Sequence, residues 1–335
     1  MKIALLQTPI LNIGNGFIDK GALEILRASS EDMKIIETSL YNNRVYKTVD
    51  KNKKINILHR AFNRNHVLEI KNTFNTVNML DIDLAVIPGC ILDKHMISII
   101  DHTVKRLNDS GVPIMLLGVG GGDYQKKNEI RVKKFLKERE IIGMITRDKK
   151  AYSLYAENVG FAKVGIDCAF FIDDWYSPPN ATQNYDAWTF GKMDTPDIES
   201  PREVVRPDHE PFNHPYRSVL REVWKIIRKK ITGNYVKKAD LSGRKVHLFR
   251  SDSLKEYLFI YKNANSVHTD RIHASVPSIL YNTPVKFYYD TPRASLFSHL
   301  NVSVPPSGFL KVDSEKISQK KAETKSHVSD ILQKV

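Results

Sequence analysis

Two short runs, Leu84–Pro88 and Pro113–Leu117, are apolar almost throughout, while the stretch between them mixes apolar and charged residues. A strand without a polar face must be covered on both sides, which is the condition of an inner strand in a parallel sheet. The intervening segment, around His95–Leu107, has helical spacing. Strand, covering helix and second buried strand form a βαβ unit, so the chain is restricted to an α/β fold with parallel sheets.

The same rhythm extends both ways. Ile3–Gln7 and Ile35–Leu40 are expected strands, separated by a helix whose Ile18, Ala22, Ile25 and Leu26 share a face. Residues 41–80 are polar and basic with no clear period. Ile130–Glu138 is expected to be helical, Ile141–Thr146 a strand, and Asp148 the N-cap of a helix ending near Gly160, with that glycine left-handed. Val164–Ile172 looks like one more apolar strand. These elements define a Rossmann-like domain over residues 1–172. Seven prolines between 173 and 215 then break the pattern, and a basic stretch follows; residues 173–245 are expected to be a crossing, an insertion or a lid. Residues 246–335 supply a second Rossmann-like lobe, with strands at Val246–Arg250, Asn265–Thr269 and Val285–Tyr289, a helix at Leu254–Lys262, and a polar helix or frayed tail at the end. The expected architecture is two parallel-sheet lobes with a cleft between them.

The sharpest chemical signal is Ser266-Val-His-Thr-Asp-Arg-Ile-His273, a strand that ends in Arg271 and His273 and runs into the apolar helix Ala274–Leu280. In open α/β sheets ligands sit at the carboxyl ends of strands, where helix N-termini favour anions. Arg271 offers a planar fork for phosphate or carboxylate, and His273 can move a proton near neutral pH. Two glycine-rich turns stand at similar places. Asn12-Ile-Gly14-Asn-Gly16 follows the first strand, and Gly118-Val-Gly120-Gly121-Gly122-Asp123 follows another. The second lacks the spacing of a dinucleotide fingerprint, since Asp123 stands where the third glycine belongs. Each turn, taken alone, fits a ligand-free βα connection as well as an anion or sugar contact. Arg147, beside the capping Asp148, is placed to reach the same sheet edge, and Asp167 lies in a run so apolar that it needs a partner. Cys90 and Cys168 look like small buried hydrophobes. No cluster with metal-ligand spacing is visible, and metal independence is expected.

In order and spacing, these motifs resemble the polysaccharide pyruvyl transferase family over most of residues 3–172 and again over about 254–300. The matching pieces are Asn12-x-Gly14, Gly120-Gly-Gly122, Arg147-Asp148 with Ser153, Gly160, Asp167-Cys-Ala-Phe170, Arg271-Ile-His273 and Thr283-Pro284. Asn15 stands where the family usually has Asp, and Cys168 where it has Pro. The resemblance implies two Rossmann-like lobes of the glycosyltransferase-B kind. It also implies transfer of a pyruvyl group from phosphoenolpyruvate, a co-substrate and not a cofactor, to two hydroxyls of a sugar, closing a cyclic ketal. On that reading Arg271 grips the donor and His273 is the general acid/base, with Asn12, Gly14, Gly120, Gly121, Gly122 and Arg147 around donor or substrate. The acceptor is then a cell-surface glycan or its lipid-linked precursor.

The net charge of +13 is concentrated: between Arg217 and Lys245, ten Lys/Arg stand against Glu222 and Asp240. Residues 217–231 read as a basic amphipathic helix with Trp224 on its apolar face, which suits an anionic membrane surface or, equally, a domain-packing helix with a basic rim. No nucleic-acid-binding motif accompanies it. No apolar run is long enough to span a bilayer, so a cytoplasmic protein, peripheral on the inner face of the membrane, is expected. Two rival functions remain: a glycosyltransferase using a nucleotide sugar, and an inactive scaffold binding glycan or membrane.

Overall fold

A computed structural model of the chain describes residues 1–41, 75–210 and 246–335, apart from residues 9, 11, 31, 290, 298, 299, 301 and 303–307. Its strands form two sheets, parallel throughout. In the first, β1 (Lys2–Gln7), β2 (Lys34–Ser39), β3 (Leu84–Pro88), β4 (Ile114–Val119), β5 (Ile141–Thr146) and β6 (Ala162–Val164) lie in the order β2-β1-β3-β4-β5-β6. Every residue of β3 and β4 is buried, as strands apolar on both faces require. In the second sheet, β7 (Tyr185–Thr189), β8 (Glu203–Pro207), β9 (Val246–Phe249), β10 (Val267–Thr269) and β11 (Val285–Phe287) lie in the order β11-β10-β7-β8-β9. The connecting helices are α1 (Ile13–Ser29), α2 (Lys94–Asp109), α3 (Lys126–Glu138), α4 (Lys149–Tyr155), α5 (Leu254–Asn263), α6 (Ile272–Leu280) and α7 (Ser314–Leu332).

Three expectations are corrected. The second sheet takes its first strands from inside the proline-rich segment, at residues 185 and 203, and not from 246 onward. β7 is its central strand and wholly buried, yet five residues containing an aspartate give too little pattern to be seen among prolines. The run Val164–Ile172 is not one strand: β6 stops at Val164, and Asp167 accepts the Ala169 N–H at 3.0 Å, starting a 3-10 turn over Cys168–Phe171. Those four residues are buried against α1, so their apolar character records burial and not a strand. Of the two forms expected for the C-terminal segment, the helix is the one found. α7 is capped by Asp313 and returns to the first sheet, where Ile331 covers Gly143 of β5 and Thr324 covers Gly165. Gly160 is not left-handed; α4 ends at Tyr155 and a 3-10 turn over Ala156–Asn158 follows.

The segment 217–231 and residues 42–74 lie outside the described residues. No helix among the described residues is long and apolar enough to cross a membrane.

Candidate functional site

Strand order reverses once in each sheet, where β1 is flanked by β2 and β3, and β7 by β8 and β10. Loops leaving the carboxyl ends of strands diverge at such a point and leave a crevice for ligands. A cavity of about 420 Å³ is lined from both points: Asn12 and Asn15 after β1, Cys90 after β3, Lys192 after β7, and Asp270, Arg271 and His273 after β10. Gly122, Arg147 and His209 also line it.

The first glycine segment is built differently from the phosphate loop it suggests. Asn12 is the N-cap of α1, its side-chain oxygen accepting the Gly14 N–H at 2.9 Å, so Gly14 to Gly16 lie in the first helical turn. The Ile13 N–H donates to the carbonyl of His209 at 2.9 Å. A Cβ on Gly14 would lie 2.4 Å from His273 Nδ1, and one on Gly16 would lie 2.7 Å from Leu254. Glycine costs a helix about 1 kcal/mol per residue relative to alanine; here it lets α1 lie directly against α5 and α6. These backbone groups meet protein, with only Asn12 and Asn15 of the segment lining the cavity.

The second glycine turn is likewise occupied largely by the chain itself. A Cβ on Gly120 would lie 2.5 Å from Arg147 Nε, and the Gly121 carbonyl accepts from Arg147 Nη2 at 3.3 Å. Only Gly122 of the three lines the cavity. Arg147 itself is buried, and its Nη1 lies 2.9 Å from Asp167. Arg147 thus reaches the sheet edge expected of it and lines the cavity, paired there with Asp167. Cys90, expected to be buried, is half-buried at the cavity wall.

Asp167 joins the two lobes' chemistry. Its Oδ2 is 2.9 Å from Arg147 Nη1 and 3.7 Å from Nε2 of His273, the last an ion-pair distance. Burial opposes the charge on Asp167, but His273 and Arg147 outweigh it and hold the carboxyl well below the usual carboxylate range. That carboxylate faces the ring of His273, whose Nε2 makes no hydrogen bond among the described residues.

Arg271 is at the cavity too, but it is braced. Its Nη1 lies 3.2 Å from Glu210 and its Nε 3.5 Å from Asp270. Asp270 is fixed in turn: its Oδ2 accepts the backbone N–H groups of Gly191, Lys192 and Met193 at 2.9, 2.5 and 2.8 Å. The loop after β7 thus wraps a carboxylate of the loop after β10, and brings Lys192 to the cavity. The fork of Arg271 is oriented by carboxylates on either side, leaving the cavity with a positioned cation.

His209 was not singled out by the sequence. It follows β8 directly, at the kind of strand end that marks Arg271 and His273, but β8 is hidden among prolines. Recognising that strand would have been the signal. His209 is buried, lines the cavity, and lies 2.5 Å through Nε2 from the hydroxyl of Tyr261.

Comparison with known proteins adds a family and a fold. The profile of the polysaccharide pyruvyl transferase family matches residues 12–287. A search of curated proteins finds no match. Among solved structures, the chain is similar to Staphylococcus aureus MnaA in complex with UDP (14% identity, 98% of this chain and 91% of that one, TM-score 0.51). It is similar to UDP-N-acetylglucosamine 2-epimerase from Rickettsia bellii (12%, 99% and 95%, 0.52). The Neisseria meningitidis UDP-GlcNAc 2-epimerase bound to UDP-GlcNAc gives 8% identity, full coverage of both chains and a TM-score of 0.53. At these identities the likeness is one of fold, two parallel-sheet lobes of the glycosyltransferase-B kind.

Proposed function

Because the chain belongs to the polysaccharide pyruvyl transferase family, we propose that it transfers a pyruvyl group from phosphoenolpyruvate to sugar hydroxyls of a glycan or its lipid-linked precursor. The observation that carries this reading is the placement of His273 in the cavity beside Arg271, with Asp167 3.7 Å behind it. The donor is a small molecule with a phosphate and a carboxylate, and it needs fixed cations. Arg271, Lys192 and the N-terminus of α6 supply positive charge on one side of the cavity. Transfer also needs a proton delivered to the donor's methylene carbon, which creates an oxocarbenium-like centre for the sugar hydroxyl to attack. His273, with the Asp167 carboxylate 3.7 Å from its Nε2, is the group to deliver it. Asp167, itself held by Arg147, acts through His273 by positioning its ring.

Calorimetric titration with phosphoenolpyruvate, UDP and GDP tests the assignment. Saturable phosphoenolpyruvate binding, weakened more than tenfold by Arg271→Ala, is expected. Binding of UDP or GDP without phosphoenolpyruvate would replace this reading with the nucleotide-sugar transferase, and the absence of all three would leave the scaffold. His273→Ala should keep donor binding and lose turnover. The basic segment 217–231 would hold the enzyme at an anionic surface carrying a lipid-linked acceptor; sedimentation with liposomes that ignores lipid charge would reject that part.

A further inference from the structure

We propose that His209 is a second proton-transfer residue of this cavity, the base that takes the proton from the acceptor hydroxyl while His273 serves the donor. The proposal rests on the pyruvyl-transfer reading above and divides between two imidazoles what one was expected to do.

The ring of His209 is fixed on several sides. It lies edge-on to Tyr257 and Tyr261, with centroids 6.2 and 5.8 Å away, and its own carbonyl accepts the first N–H of α1. Nε2 is 2.5 Å from the Tyr261 hydroxyl, which is 3.2 Å from Thr189 Oγ1. Burial pushes the Tyr261 hydroxyl up, so it keeps its proton. If Nε2–H donates to Tyr261 and Tyr261 donates to Thr189, the relay is complete and Nδ1 carries the lone pair. Nδ1 is buried and has no hydrogen-bond partner among the described residues, in a side chain that lines the cavity. A buried acceptor without a partner calls for one, and a substrate hydroxyl has the matching donor.

The electrostatics separate the two rings. Burial, then Arg271 and His273, hold His209 well below the usual histidine range, so it is neutral and able to accept a proton. Tyr257 and Tyr261 are the other titratable groups against it. His273 instead faces the Asp167 carboxylate. One ring thus stands beside an anion and the other in a site where burial keeps it neutral, an arrangement that suits the first as acid and the second as base. The protons balance. His273 gives one to the methylene carbon, and His209 takes one from the first hydroxyl as its oxygen bonds to the former vinyl carbon. His209 returns that proton to the phosphate, which leaves as its carbon–oxygen bond breaks. The second hydroxyl closes the ketal and its proton restores His273.

Two measurements on the full-length chain test this. Long-range nitrogen–proton spectra of histidine-labelled protein should show His209 neutral, with its proton on Nε2, from pH 6 to 8; a protonated ring or the opposite tautomer overturns the proposal. Phosphoenolpyruvate binding by calorimetry, and phosphate release with methyl β-galactoside as the probe diol, are then compared for wild type, His209→Gln and Tyr261→Phe. His209→Gln should bind phosphoenolpyruvate within threefold of wild type and lose phosphate release by a hundredfold or more. Tyr261→Phe, the milder change, should lose part of that rate. Release by His209→Gln within threefold of wild type overturns the proposal and leaves pyruvyl transfer standing. Wild type that does not bind phosphoenolpyruvate overturns both. If wild type binds it but releases no phosphate with this diol, the tautomer decides.

Discussion

A Cβ on Gly14 would lie 2.4 Å from Nδ1 of His273 and 2.8 Å from its Cβ, so α1 and α6 touch where α1 offers no side chain. Alanine at this position gains about 1 kcal/mol of helix propensity. The obstruction reaches the Cβ of His273, which cannot swing clear, and overpacking of this kind costs about 1–3 kcal/mol. Gly14→Ala should therefore lose about 1 kcal/mol in urea denaturation and at least tenfold in turnover. Unchanged turnover would mean that the seat of His273 against α1 does not matter to the chemistry.

Asp167 is the buried anion that Arg147 and His273 share, and removing one member of such a pair leaves a buried charge unmatched, at about 3–5 kcal/mol. Asp167→Asn should lose stability on that scale at pH 7. The sign in acid follows from a carboxyl held below its usual range when folded. Its contribution is complete above the unfolded value near pH 4 and drains away as pH falls further. The gap between wild type and Asp167→Asn should accordingly narrow below about pH 4, as followed by circular dichroism. A gap that stays constant from pH 7 to pH 3 would rule out the charged pair as its source.

Gly191 lies against the far end of Arg271, with a built Cβ only 2.1 Å from Nη2. The tip of a long side chain can move, so Gly191→Ala should change stability by less than about 1 kcal/mol, as surface-loop changes usually do. The guanidinium must shift, however, away from its Glu210 and Asp270 braces. Phosphoenolpyruvate affinity should fall about tenfold, near 1.4 kcal/mol, in calorimetric titration. Equal affinity would show that the braced position of Arg271 is not the binding position.

The first sheet was legible because its strands are apolar on both faces and its helices keep one period: Leu84–Pro88 and Ile141–Thr146 are strands over those same residues. Asp148 caps its helix through the Ala151 N–H, as its place before Ala151, Leu154 and Tyr155 suggests. The second sheet was less so. β10 and β11 have three residues each, and β8 carries Glu203 and Arg206. The site shows the same division. Arg271 and His273 were visible as a strand end running into a helix, and both line the cavity. What Gly14 and Gly120 do was not visible, because glycine has the same appearance beside a phosphate as beside another side chain. Here the neighbours are His273 and Arg147, each more than a hundred or nearly thirty residues distant in sequence. Contacts of that range leave no local period to read.

His209 gives the protein a sensitivity to mild acid that can be separated from its role in turnover. Its folded value is depressed by burial and by the charges of Arg271 and His273, while the unfolded ring titrates near 6.5. A depressed value means that the neutral ring contributes stability above pH 6.5, and that this contribution is lost as pH falls and the unfolded chain takes up a proton that the ligand-free fold binds more weakly. One proton taken up changes stability by up to about 1.4 kcal/mol per pH unit. Between pH 6.5 and 5, the stability of wild type should therefore fall more steeply than that of His209→Gln, by an amount approaching that slope. Denaturant midpoints measured at half-unit steps of pH give the two slopes directly. Parallel lines would mean that, without substrate, His209 takes its proton in the fold as readily as in the unfolded chain, despite its burial between Tyr257 and Tyr261.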